Sequence, residues 1–317
     1  MYKYRAYGMT FESDMVFYEC EEADASEPAV MTIRHNELSE IKDEISAQNL
    51  KRVSHRPNGE MPSMYTKKED GVFNVFIYDM AYIRIIGDSI IEYNTERGTD
   101  DIVFHQWMLC YAMTLLLIKK HEVLLHCAGL LVPGTDDAVL VCGDSGAGKS
   151  TISNSLLEKG LQFVSDDSVR VINQNGKALV YGACKQRRLC DDVVERKGYD
   201  TSKLRCYDDG EKHKWIMNMD GCYYGDKPRN LKSIFIITLK ETGDPEVTEV
   251  TGAEKINRIM RALYKGSDYK AEGFLGELFL KVTSIAKDVK VYVVERPKDK
   301  MTVDEITDKI YTIGTGI

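Results

Sequence analysis

The sequence predicts an α/β fold, a strand–loop–helix core preceded by an N-terminal strand-rich α+β domain. Three observations carry this. A continuous apolar run at Ala138 to Cys142 leads into Gly143-Asp144-Ser145-Gly146-Ala147-Gly148-Lys149-Ser150, which fits G-x-x-x-x-G-K-[ST] at every fixed position, and a helix-patterned stretch follows. Beyond it, apolar strands and amphipathic helices alternate. Before it, the first hundred or so residues read as short strands punctuated by Gly, Asp, Asn and Pro.

Composition sets the bounds. With 317 residues, 43% hydrophobic and 29% charged, the chain can bury one large core or two moderate ones. A net charge of −8 argues against nucleic acid as the main partner, because phosphate backbones call for the opposite field. The eight cysteines form no C-x-x-C pair, which points to reduced thiols and no zinc framework. The start MYKYRAYGM lacks a basic-then-apolar leader pattern, and a cytoplasmic location is expected. Ile102 to Ile118 is the most apolar stretch, but His105, Gln106 and Thr114 interrupt it, so it reads as a buried helix and not a membrane span.

In chain order, strands are expected at Tyr2 to Tyr7, Met15 to Cys20, Ala29 to Ile33, Val72 to Tyr78, Tyr82 to Ile86 and Ile90 to Tyr93. The polar stretch Glu96 to Asp101 is the expected boundary, giving an accessory or substrate-docking domain at 1–100 and the core at 101–317. A helix at Asp101 to Lys120 and a strand at Val123 to Val132, with His126 inside it, lead to the glycine-rich loop. The helix Thr151 to Lys159 presents Ile152, Leu156 and Leu157 on one face and stops at Gly160. A strand at Leu161 to Ser165 ends in Asp166 and Asp167. Val169 to Ile172 and Ala178 to Tyr181 then form a hairpin around an Asn-Gly turn. After the basic run Cys184 to Leu189 come a helix near Cys190 to Lys197, a loop at Thr201 to Gly210, and strands at Lys212 to Met219 and Leu231 to Leu239. Helices at Ala253 to Tyr264, Leu275 to Lys287 and Val303 to Ile313, with a strand at Val289 to Val294, complete the chain.

The glycine-rich loop carries the chemistry. Its glycines let successive amides turn inward at the positive end of a helix, where a polyphosphate binds; Lys149 reaches the terminal phosphates and Ser150 supplies a hydroxyl for Mg²⁺. The nucleotide-binding set is therefore Gly143, Asp144, Ser145, Gly146, Ala147, Gly148, Lys149, Ser150 and Thr151. Asp166 and Asp167 arrive one helix later at a strand end, where one carboxylate can hold Mg²⁺ and the other can take a hydroxyl proton. Paired aspartates also make turns. A single His in an apolar strand is commonly an interior residue, and a basic run is by default a solvated face, so His126, Arg187 and Arg188 stay open on this reading. Arg296 either approaches the site or caps an element.

The order LLHCAGLLV, GDSGAGKST and VSDD resembles the HPr kinase/phosphorylase family and its broader relatives. The resemblance covers about Val123 to Asp167 and weakens toward Pro297. It implies a phosphoenolpyruvate-carboxykinase-like, HPr-kinase-like P-loop kinase core that uses ATP and Mg²⁺ to phosphorylate a serine hydroxyl of a peptide or small protein. On that basis Asp166, Asp167, His126 and Lys149 are the expected catalytic residues and Ser150 and Asp166 the metal ligands. Arg187, Arg188, Lys214 and Arg229 are candidates for substrate or phosphate. Thr151 stands where HPr-directed enzymes have an acidic residue, which favours the divergent branch that includes kinases of lasso-peptide precursors. HPr(Ser) kinase/phosphorylase and a non-transferring ATP-dependent regulator are the alternatives. Relatives form oligomers, which leaves a homo-oligomer open here.

Overall fold

The computed structural model describes residues 1–37, 51–54, 64–69, 71–77, 80–96, 101–144, 146–208 and 213–316. They form two compact units. Unit 1 comprises Met1–Arg5, Met9–Lys120 and Arg188–Met217; unit 2 comprises Ala6–Gly8, His121–Arg187 and Asn218–Ile317.

Unit 1 is built on a nine-stranded sheet of β1 (Tyr2–Ala6), β2 (Met9–Ser13), β3 (Glu21–Glu22), β4 (Met31–His35), β5 (Lys51–Ser54), β6 (Met64–Glu69), β7 (Val72–Ile77), β8 (Ala81–Ile86) and β9 (Ile90–Thr95). Their order is β3-β1-β2-β4-β9-β8-β7-β6-β5. The strand expected at Met15 to Cys20 is a pair of tight turns instead, closed by Met15 N–H donating to Ser13 Oγ at 2.9 Å and by Cys20 N–H donating to the Phe17 carbonyl at 3.3 Å.

Helix α1 (Asp101–Lys119) belongs with this sheet, so the compact units do not follow the break expected at residue 100. The reason lies in its buried face. His105 is hydrogen bonded through Nδ1 to the buried Glu19 carboxylate at 3.1 Å, and its ring lies 5.0 Å from that of Phe17; Phe104 packs 5.5 Å from Tyr93. The helix is long and apolar enough to cross a membrane, yet 72% of its most apolar window is buried inside the protein, as in a core helix. A π-helical stretch, Met108–Ala112, interrupts it.

Unit 2 holds the second nine-stranded sheet: β10 (Val123–Leu125), β11 (Cys127–Leu131), β12 (Asp137–Gly143), β13 (Gln162–Ser165), β14 (Val169–Gln174), β15 (Lys177–Gly182), β19 (Arg229–Lys240), β20 (Glu246–Val250) and β21 (Lys290–Pro297). The intervening labels fall to a three-stranded sheet ordered β16 (Gln186–Leu189), β18 (His213–Asn218), β17 (Arg205–Asp208). The loop expected at 201–210 thus contains a 3₁₀ turn, Thr201–Lys203, and strand β17, with 209–210 outside the described residues.

The unit 2 sheet is mixed. β12 runs parallel to β19 and antiparallel to β11, and β19 runs parallel to β21. The register sets Gly143 beside Ile237 and Ile237 beside Val294, so three carboxyl ends meet at one edge. The expected hairpin forms with Asn175 at φ 54° and Gly176 at φ 85°, the double left-handed conformation that an Asn-Gly turn supplies.

Helix α2 (Lys149–Glu158) and the C-terminal helix (Val303–Thr315) pack on one face of this sheet. Ile152 and Leu156 from the first and Ile306 and Ile310 from the second meet Val139, Val141, Phe235 and Val294, all 0% exposed. Phe235 and Tyr292 stack at 5.0 Å beneath them. Because this packing anchors the helix that follows the glycine-rich loop, Ile310→Ala is expected to cost about 2–5 kcal/mol of unfolding free energy in urea titrations.

Candidate functional site

The site is built where β12 ends. Gly143 closes the strand, the Ala147 N–H donates to the Asp144 carbonyl at 3.1 Å, and α2 starts at Lys149. Ser145 lies outside the described residues. Gly148 caps the helix at φ 99°, a conformation that L side chains rarely adopt. There is a second reason for glycine here: a Cβ would come within 2.5 Å of Arg296 Nη1.

Lys149 folds back over the loop. Its Nζ donates to His126 Nε2 at 2.9 Å and to the Gly143 carbonyl at 3.3 Å. An ammonium can only donate, so Nε2 accepts and the ring proton sits on Nδ1. That proton points at the Asp167 carbonyl, 2.8 Å away, with Asp167 Oδ1 at 3.6 Å. The imidazole is therefore a neutral bridge between the lysine and the acidic turn.

His126 reaches this position because the strand expected at 123–132 breaks at it. β10 pairs with β14 and β11 with β12 and β13, while the His126 N–H between them donates to the Ala262 carbonyl at 2.8 Å. The break turns the imidazole out of the apolar run, leaving its side chain 32% exposed. The ring of Tyr264 lies 5.6 Å away.

Asp166 and Asp167 occupy the turn between β13 and β14. Asp167 has φ 69°, a left-handed conformation that costs an L-residue about 1–2 kcal/mol. The surroundings over-determine it. Its carbonyl accepts from Cys127 N–H at 3.2 Å as well as from His126, and its N–H donates to Asp166 Oδ1 at 3.0 Å. Ser168 N–H donates to the Asp166 carbonyl at 2.9 Å, and Ser165 Oγ donates to the Ser168 carbonyl at 2.7 Å. Strain held by this many bonds is typical of a functional turn.

Arg296, two residues past Val294 on β21, completes the edge. Its Nη1 donates to the Ala147 carbonyl at 3.0 Å, while its Nε is buried without a hydrogen-bond partner among the described residues. The sequence left this arginine open between site and cap; the parallel register puts it on the loop.

The other basic candidates have the following partners. Arg187 is 6% exposed and donates to Asn154 Oδ1 at 3.2 Å, bracing the flank of α2. Arg229 sits at the opposite end of β19, about 25 Å of strand from Ile237 at about 3.3 Å per residue. There it is hydrogen bonded to Asp136 at 2.8 Å and to the Tyr224 carbonyl at 2.9 Å. Arg188 and Lys214 belong to unit 1, where Lys214 Nζ donates to Cys190 Sγ at 2.6 Å.

The donor set fits a polyphosphate with a divalent ion. Two cationic side chains, Lys149 and Arg296, border a helix start, and Arg296 carries an orphaned buried N–H. Among the described residues no three His, Cys, Asp or Glu side chains gather as a metal cluster. Mg²⁺ beside phosphates needs only one or two protein oxygens, which Ser150 and Asp166 have in kind.

Residues 120–199, about a quarter of the chain, match the family model of the HPr Serine kinase C-terminal domain. No curated protein matches. Among solved structures, the chain is similar to the Hpr(Ser) kinase/phosphatase from Coxiella burnetii, with 12% identity over 60% of this chain and 92% of that chain and a TM-score of 0.29. The family match takes in His126, the loop, Asp166, Asp167, Arg187 and Arg188, and leaves out Lys214, Arg229 and Arg296.

If Arg296 and the glycine at 148 shape an anion site, Arg296→Met and Gly148→Ala each weaken tripolyphosphate binding about tenfold or more in calorimetric titrations, a loss of about 1.4 kcal/mol.

Proposed function

We propose that the chain is an ATP- and Mg²⁺-dependent phosphotransferase that phosphorylates a serine hydroxyl of a peptide or small protein. The observation that carries this reading is the hydrogen-bonded run from Lys149 through His126 to Asp167, at the edge where β12, β19 and β21 end. A site that only held nucleotide would need the loop and Lys149; it would not need two carboxylates on a strained turn beside them.

The loop amides, Lys149, Ser150 and Asp166 would hold ATP and Mg²⁺, which supply the transferable group and neutralise charge between the phosphates. Lys149 would reach the terminal phosphate and stabilise negative charge there. With Asp166 given to the metal, Asp167 would be the proton acceptor for the incoming hydroxyl. His126 fixes the Asp167 turn through its carbonyl and keeps Lys149 aimed at the loop. The two aspartates are adjacent, so an activity–pH profile reports the pair and not either carboxyl alone.

The HPr-kinase-like segment at 120–199 supports a protein or peptide acceptor. Two acceptors stand first for testing: HPr, and the C-terminal serine of a ribosomally made lasso-type precursor peptide. The second is favoured by Thr151 at a position that is acidic in HPr-directed enzymes. Arg229 has no part in this assignment.

Transfer from γ-labelled ATP to a panel of these acceptors is expected in the wild type. Asp167→Asn and Lys149→Ala lower it by about 10²–10⁴-fold, and Arg229→Ala leaves it unchanged. Tight ATP binding with no labelled acceptor, and aspartate variants that bind like the wild type, would sink the kinase reading.

A further inference from the structure

A second cluster of reactive side chains stands in unit 1, on the hairpin of β17 and β18. The register pairs Cys206 with Trp215 and Asp208 with His213. Directly paired residues share a face of the sheet, and residues two apart do as well, so Cys206, Asp208, His213 and Trp215 all project to one side. Asp191, the first residue of the helix Asp191–Lys197, meets them there.

The contacts form a relay. Cys206 Sγ lies 3.1 Å from His213 Nε2, and His213 Nδ1 lies 3.1 Å from Asp191 Oδ1 and 3.2 Å from Oδ2. Trp215 Nε1 donates to Asp191 Oδ1 at 2.7 Å, and its ring meets the His213 ring edge-on at 5.3 Å and 86°. The indole hydrogen bond, with the neighbouring His213 ring adding to it, holds the Asp191 carboxyl below the usual carboxylate range. An ionised Asp191 accepts a hydrogen bond from Nδ1–H, which turns the Nε2 lone pair toward the thiol. A thiol, an imidazole and a carboxylate in this order are the elements of an activated nucleophile. Cys206 is exposed, and β17 is the edge strand of its sheet.

We propose that Cys206, His213 and Asp191 constitute a thiol-modification site that reacts with small disulfides. The Cys206 proton passes to His213 Nε2, and the thiolate attacks one sulfur of the disulfide. A new S–S bond forms to Cys206 as the old one breaks, and the departing thiolate takes the proton from His213. Nothing is consumed beyond the disulfide itself. Four other groups on these elements bear on the thiol. Asp208 lies on the same face, Arg205 and Lys214 lie on the opposite face, and Cys190 is bound to Lys214. Cys127 contrasts with it: burial pushes that thiol well up, aided by Cys142, so it stays protonated and shielded.

The test uses the intact protein and oxidised glutathione, with the exposed Cys222 as internal reference and the extent of mixed-disulfide formation at each cysteine read by peptide mapping over time. At pH 6 Cys206 is expected to react about tenfold or more faster than Cys222, the advantage shrinking as pH passes about 8.5, where ordinary thiols ionise. His213→Gln brings Cys206 to the Cys222 rate, and Asp191→Asn falls between. Equal rates for the two cysteines of the wild type at pH 6 overturn the proposal, with no variant needed. So does a Cys206 rate that His213→Gln leaves unchanged.

Discussion

The hydrogen bond between Lys149 Nζ and His126 Nε2 holds the candidate site in one piece. A lysine in a glycine-rich loop has to be kept in place without being neutralised, or its charge is lost to any incoming anion. A carboxylate partner would hold it more tightly and spend the charge; a neutral imidazole accepts one hydrogen bond and leaves the ammonium cationic. A hydrogen bond from a charged donor contributes about 1.5–3 kcal/mol, comparable with the about 1–2 kcal/mol cost of the left-handed Asp167 on the other side of the ring. The imidazole thus couples loop and turn, and moving either one disturbs the other.

That coupling rests on the sheet. Parallel alignment of β12, β19 and β21 delivers three carboxyl ends to one edge, while the antiparallel β11 and β13 return the acidic turn to the same place. The two arginines of β19 and β21 show how strict the geometry is. Arg296, near a carboxyl end, touches the loop carbonyl of Ala147; Arg229, at an amino end, is taken up by Asp136 and Tyr224. Residue type is the same in both, and the strand end decides the role.

This also marks what could be read from the chain alone. The loop, its helix and the Asn175-Gly176 hairpin were legible because their determinants are local: glycines at fixed offsets, a 3.6-residue apolar period, a turn that needs two left-handed residues. The break at His126 was not, because Leu124, Leu125, Cys127 and Ala128 are as apolar as an unbroken strand, and the interruption comes from pairing with the distant 262–264 segment. Helix α1 looked like the start of the core domain by sequence adjacency, whereas its buried His105 is claimed by Glu19. β17 was hidden by composition: Arg205, Cys206 and Asp208 are all exposed, so only Tyr207 points inward and no alternation shows.

The cysteines carry the same lesson into chemistry. Cys127 sits in the sheet opposite Cys142, where burial and a second thiol disfavour the charged form; Cys206 sits on an exposed edge, opposite Trp215 and within reach of His213. Neither environment is written in the neighbouring residues: His213 is seven positions from Cys206 and Asp191 fifteen; the hairpin register brings His213 to the thiol, and the start of the helix Asp191–Lys197 brings Asp191 to His213. Reactivity in this chain is therefore a property of pairing. A single-residue register slip in β17 would carry the thiol to the other face of the sheet, away from the imidazole, without changing one residue of the sequence.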